Sequence, residues 1–169
     1  MTAGSRVAVL GLGNLLLKDD AIGLYLVREL EKKGPPPGVV CLEGGTGLWA
    51  VPALLRKRPA LLAVDAVRGG GEPGSVYLLS QKDLFPEEGE GGSWLSLHDL
   101  RLPGLLQLPE LAGRVRSWAI MGVEPQEIGP GVGLTPALQA QVAELTEALW
   151  QEAARMAGPI PQSPEFQRQ

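Results

Sequence analysis

The chain has 169 residues, a size at which one domain of ordinary globular composition buries a full core. Lys plus Arg number 15 and Asp plus Glu 19, so the net charge of −4 argues against a phosphate-backbone binder, which needs a basic surface. One cysteine and one histidine exclude a disulfide framework, a multi-cysteine metal site and a paired-histidine zinc protease. No apolar run approaches the roughly 20 residues that cross a bilayer, and Met1 to Arg6 lacks the apolar core of a secretory signal. The expectation is a cytoplasmic enzyme or binding protein without membrane or nucleic-acid partners. A single domain over residues 1–157 and a flexible polar tail over 158–169 are expected.

Arg6 to Leu10 is mostly apolar and runs into Gly11, the pattern of a strand buried on both faces. Asp20 to Lys33 predicts a helix, with Ile22, Leu26 and Leu30 at four-residue spacing and Asp19 as its cap. The run Gly34-Pro35-Pro36-Pro37-Gly38 stops it. Val39 to Leu42 reads as a second strand and Thr46 to Arg56 as a second helix, with Pro52 tolerable only in its first turn. Ala60 to Val67 is a third strand, apolar except for Asp65.

The connection Arg68 to Gly74 is too short for a crossover helix, so the strand Ser75 to Leu79 should run antiparallel to the third. Ser80 to Leu97 is polar and holds the run Pro86 to Gly92, an excursion over one end of the sheet. Leu102 to Leu111 predicts a helix shortened or kinked by Pro109, and Arg116 to Met121 a fifth strand. Thr135-Pro136 opens a last helix reaching about Met156, with Leu138, Val142, Leu145, Leu149 and Met156 on one face. Alternating strands and helices give a three-layer α/β/α domain, in which ligands bind beyond the carboxyl ends of the strands.

Polar residues just after the first and third strands are therefore the first candidates, and the lone histidine joins them. Asp19 and Asp20 adjoin at a helix start; capping accounts for one acid, and the second needs another reason, such as a cation. Asp65 ends an apolar strand, where a charge is costly unless paired or metal-bound. Its plain alternative is a carboxylate capping the amides of Arg68 to Gly71. His98 is the lone imidazole, so any imidazole chemistry uses it. Two carboxylates and one imidazole suit a divalent first-row metal with open positions: nickel, zinc, iron or manganese. A catalytic pair of Asp20 with Asp65 stays open beside that reading. Gly11-Leu12-Gly13-Asn14 invites a dinucleotide reading, with Glu43 as the ribose acid, but Leu16 stands where the third glycine belongs. No G-x-S-x-G elbow occurs, and Cys41, inside an apolar strand, reads as inert.

Five segments in order resemble the hydrogenase maturation proteases. Gly11-Leu12-Gly13-Asn14 through Lys18-Asp19-Asp20-Ala21-Ile22-Gly23 is similar to the family's opening G-x-G-N-x-L-x-x-D-[DE]-x-x-G segment. Glu43-Gly44-Gly45-Thr46-Gly47 resembles its G-T-x-G turn, and Asp65-Ala66-Val67 with Gly69 and Pro73-Gly74 its D-A-V…G…P-G stretch. Ser96-Leu97-His98 resembles its S-x-H motif, and Val123-Glu124-Pro125 with Leu134-Thr135-Pro136 its V-E-P…L-[ST]-P ending. The resemblance implies a five-stranded, mostly parallel sheet with one antiparallel strand. It implies an endopeptidase that removes a C-terminal extension from the large-subunit precursor of a nickel–iron hydrogenase. It further implies nickel, carried by that substrate, as the ion met by Asp20, Asp65 and His98, with Gly44, Gly45, Thr46 and Gly47 lining the approach of the substrate tail. A second reading, motivated by the Pro86 to Gly92 excursion, is a non-enzymatic metal- or nucleotide-binding module of the same fold.

Overall fold

The computed structural model describes residues 6–45, 59–84, 101–107 and 113–159. Its centre is a five-stranded sheet of β1 (Val7–Leu12), β2 (Val39–Gly45), β3 (Ala60–Ala66), β4 (Val76–Ser80) and β5 (Ser117–Val123), in the order β2-β1-β3-β5-β4. β1 pairs in parallel with β2 and β3, and β3 with β5. All six residues of β1 and the first six of β3 are buried, which is why both read as continuous apolar runs. Alternate side chains feed two cores. Val7, Val9, Leu62, Val64, Met121 and Val123 face one, and Ala8, Leu10, Leu61, Ala63 and Ile120 the other.

The first core is closed by α1 (Ile22–Lys33) and by α5 (Val142–Ala157), which pack on each other as well as on the sheet. Ile22, Leu26 and Leu30 of α1 are buried there, as the four-residue spacing requires. The second core takes Leu102 and Leu106 from α3 (Arg101–Leu106), the described part of the leucine-rich segment, whose residues 108–112 lie outside the described residues. A short helix, α2 (Gln81–Leu84), follows β4 directly, in place of the start of a polar loop. The predicted helix Thr46 to Arg56 and the run Pro86 to Gly92 also lie outside the described residues.

Three local features depart from the sequence reading. β4 runs antiparallel to β3 as expected, but its hydrogen bonds go to β5, which lies between them. The last helix is not continuous: α4 (Pro136–Gln139) is separated from α5 by a turn. The Gln141 amide donates to Leu138 O in that turn, while its side chain donates to Ala137 O and, across the domain, to Pro73 O at 3.0 Å. Third, α1 begins at Ile22 rather than Asp20, after a tight 3₁₀ turn, Asp19–Ala21. Neither the turn nor α1 carries a side-chain cap, so Asp19 is not the helix cap predicted for it.

Candidate active site at the carboxyl edge of the sheet

The 3₁₀ turn sits on the ends of β1 and β3 because two glycines let backbone meet backbone. A Cβ on Gly13, which has φ +137°, would collide with Asp20 O, and one on Gly23 would collide with Val64 O and Leu12 O. Val64 is the penultimate buried residue of β3 and Asp65 the last. Asp20 and Asp65 thus come to one carboxyl edge, 4% and 3% exposed. Asp20 Oδ2 accepts the amide of Asn14 at 2.9 Å, and Asp65 Oδ1 accepts that of Ala66 at 2.9 Å. β2 ends alongside: its Gly45 pairs with Leu12 after a register shift, so Gly44 and Gly45 share this edge. His98, Thr46 and Gly47 lie outside the described residues. Among the described residues no three acid, histidine or cysteine side chains converge as a metal cage.

Asp19 does different work from its neighbour. It is fully buried, and its carboxylate accepts the amides of Gln126 at 3.0 Å, Glu127 at 3.1 Å and Thr135 at 2.8 Å. The Thr135 hydroxyl also reaches both oxygens, at 3.0 and 2.8 Å. The acid therefore fixes the β5–α4 connection to the turn that carries Asp20. Backbone bonds reinforce the joint: Lys18 N donates to Gly131 O, Gly131 N to Leu16 O and Asp19 N to Glu127 O. Lys18 Nζ pairs with Glu127 at 2.6 Å. Leu16 and Val132 stand exposed on these paired loops.

Glu124 and Tyr77 were not singled out as site residues, although the acid of the V-E-P segment follows an apolar strand much as Asp65 ends one. Glu124 is buried and accepts the amide of Gly69 at 2.5 Å and the hydroxyl of Tyr77 at 2.8 Å. The Tyr77 oxygen in turn accepts the amide of Gly71 at 3.0 Å. Desolvation, then the hydrogen bond to Glu124, hold the Tyr77 phenol above its ordinary pKa. The Gly69 and Gly71 amides that Asp65 was to cap under its plain alternative are thus taken by Glu124 and Tyr77. At the same edge Asp65 accepts the Ala66 amide.

Another candidate loses its chemistry. Arg28 grips Glu43 through Nε and Nη2, at 2.9 and 2.8 Å, and this pairing holds the carboxyl below its usual pKa. The acid the dinucleotide reading needs for a ribose is therefore engaged. The glycine that lets helix meet strand is Gly23, not a residue at position 16. Cys41 packs against the first core, and burial pushes its thiol up to about 11. Its raised value keeps the stabilising thiol form intact below pH 9 and loses that contribution as pH rises towards 11. A disulfide reagent at pH 8 is expected to label Cys41 slowly in the folded protein and at once in denaturant. Equal rates in both would contradict the burial.

Two buried carboxylates and a glycine turn thus lie at the carboxyl edge of an α/β sheet, the edge at which such sheets bind their ligands. A family model for hydrogenase maturation proteases matches residues 24–152, and the chain belongs to that family. It is 32% identical over 148 residues to the hydrogenase 2 maturation protease of Escherichia coli, covering 84% of this chain and 87% of that protein. A hydrogenase expression/formation protein, HupD of Bradyrhizobium diazoefficiens, is 32% identical over 143 residues, 82% of this chain and 73% of its own. Among solved structures, the hydrogenase maturating endopeptidase HybD of E. coli superposes with a TM-score of 0.68 at 30% identity, covering 90% of this chain and 94% of that one. The HybD protease of Thermococcus kodakarensis gives 0.64 at 28% identity, with 88% and 99% covered. The five-stranded mixed sheet expected from the sequence is the architecture found, and the enzyme is a peptidase of this family.

Proposed function

We propose that the chain removes a C-terminal extension from the large-subunit precursor of a nickel–iron hydrogenase in the cytoplasm, once nickel is in place. Family membership supports the peptidase and its class of substrate. No described helix is long and apolar enough to cross a membrane. The observation that carries the site is the meeting of two buried carboxylates, Asp20 and Asp65, at the edge where the glycine turn of β2 also ends.

In this reading Asp20, Asp65 and His98 meet nickel held by the substrate, so metal loading licenses cleavage. Hard carboxylates and an imidazole suit a divalent nickel ion, as they do zinc, iron and manganese. Nickel brought to the edge supplies polarisation of the scissile carbonyl or of water. The protein's part is to hold the ion through the two acids and the imidazole. Gly44, Gly45, Thr46 and Gly47 give the substrate tail a backbone surface without bulky side chains.

Purified protein is mixed with nickel-loaded and nickel-free large-subunit precursor, and intact mass is followed. The expected result is loss of a C-terminal fragment from the loaded precursor alone. Equal trimming of both would remove the nickel licence, and trimming of neither would remove the substrate assignment.

A further inference from the structure

Two adjacent acids at one turn pose a question that metal recognition answers for only one of them. Both oxygens of Asp19 are engaged by four donors from Gln126, Glu127 and Thr135. A carboxylate so occupied is a joint rather than a ligand. The turn it holds is not one the chain adopts freely. Asp20 N donates to Leu17 O, closing a four-residue turn in which Lys18 has φ 50° and ψ −120°. That is the first central position of a type II′ turn, where glycine is favoured and a side chain is strained. Lys18 is the only described non-glycine residue at positive φ. Such a conformation persists only where surrounding bonds over-determine it.

We infer that Asp19 is the positioning residue for Asp20, tying the strained Leu17–Asp20 turn to the β5–α4 connection so that the Asp20 carboxylate is held at the carboxyl edge of β1 and β3. The inference rests on the reading of Asp20 as a nickel-facing group. It divides the pair: Asp19 sets where the turn stands, and Asp20 is what the turn presents. Thr135 belongs to the same device. It stands before α4 yet caps nothing with its side chain, so its hydroxyl serves Asp19 alone among the bonds described.

The test follows from that last point. Thr135→Val keeps the shape of the side chain and removes only the hydroxyl, so the fold survives, while Thr135→Ser keeps the donor. Each is measured for kcat and KM on nickel-loaded precursor, and for Ni²⁺ affinity by calorimetry, beside Asp19→Asn and Asp20→Ala. Thr135→Val is expected to lower kcat about tenfold, because small displacements of a catalytic group carry costs of that order. KM should rise by a similar or smaller factor, since the displaced Asp20 also meets the nickel of the bound precursor. Ni²⁺ affinity should fall in parallel, Thr135→Ser should match the parent, and Asp19→Asn should do more than Thr135→Val. Adding Lys18→Gly to Thr135→Val should recover most of the lost kcat relative to Lys18→Gly alone, because glycine takes the turn without strain. Unchanged kcat and Ni²⁺ affinity in Thr135→Val and Asp19→Asn, with Asp20→Ala inactive, would overturn the positioning role and leave the site standing. A drop that tracks melting temperature and is not recovered by Lys18→Gly would reduce Asp19 to a structural contact. Full activity in Asp20→Ala would remove the site reading, and the role of Asp19 with it.

Discussion

Asp65→Asn is expected to lower kcat/KM on nickel-loaded precursor by at least about two orders of magnitude under the nickel-recognition proposal, since a ligand contributes more than the outer partners whose loss costs 10–100-fold. The asparagine keeps the volume and an acceptor for the Ala66 amide, and exchanges one charged oxygen for an uncharged NH2 donor. A carboxylate 3% exposed at the end of five apolar residues is costly to the fold unless it is hydrogen-bonded or paired. The melting temperature should change by only a few degrees, since the side chain keeps its volume and the Ala66 contact. A drop in activity without a matching loss of stability marks a group kept for chemistry. His98→Ala should show the same loss of activity. Cleavage at the parent rate by both variants would end the nickel-recognition reading.

Gly23→Ala should have the largest effect on stability. The added methyl would run into the carbonyl oxygens of Val64 and Leu12, on two strands that are hydrogen-bonded to each other through β1 and β3. Neither can retreat without opening the sheet at its centre. A cost of more than about 3 kcal/mol follows for overpacking against backbone, or roughly 10 °C in melting temperature for a domain of this size. Gly104→Ala is the matched control. Gly104 lies inside α3, is exposed, and has no neighbouring atom within 4 Å of the point an added methyl would occupy. There alanine should stabilise by about 0.5–1 kcal/mol, the ordinary helix preference over glycine. Equal melting curves for the two variants would mean that α1 does not press on the strands as described.

The contrast between those two glycines also shows what could be read in advance. Burial on both faces leaves continuous apolar runs, so β1 and β3 announced themselves, as did α1 through Ile22, Leu26 and Leu30. The shortness of the Arg68 to Gly74 connection gave the direction of β4. It could not give its neighbour, because the intrusion of β5 between β3 and β4 depends on residues far along the chain. Asp65 was legible as a charge in an apolar strand. Asp19 was misread as a cap because its partners, Gln126, Glu127 and Thr135, are more than a hundred residues away and leave no local trace. The break between α4 and α5 is set the same way, by the bond of Gln141 to Pro73. Periodicity reports which face is buried; it does not report which distant amide a carboxylate will find.

The seating of α1 through Gly23 and Gly13 has a consequence for how the enzyme can change. Where helices rest on sheets through interlocking side chains, each exchange in the hydrophobic interior shifts the helix and whatever its end displays. Here main chain bears directly on main chain, and that spacing has no rotamers to alter. Leu26, Leu30 or Leu149 can be traded for other aliphatic residues while the acid-bearing turn keeps its height above the strands. Sequence drift in the interior and constancy at the rim are thereby made compatible within one small domain.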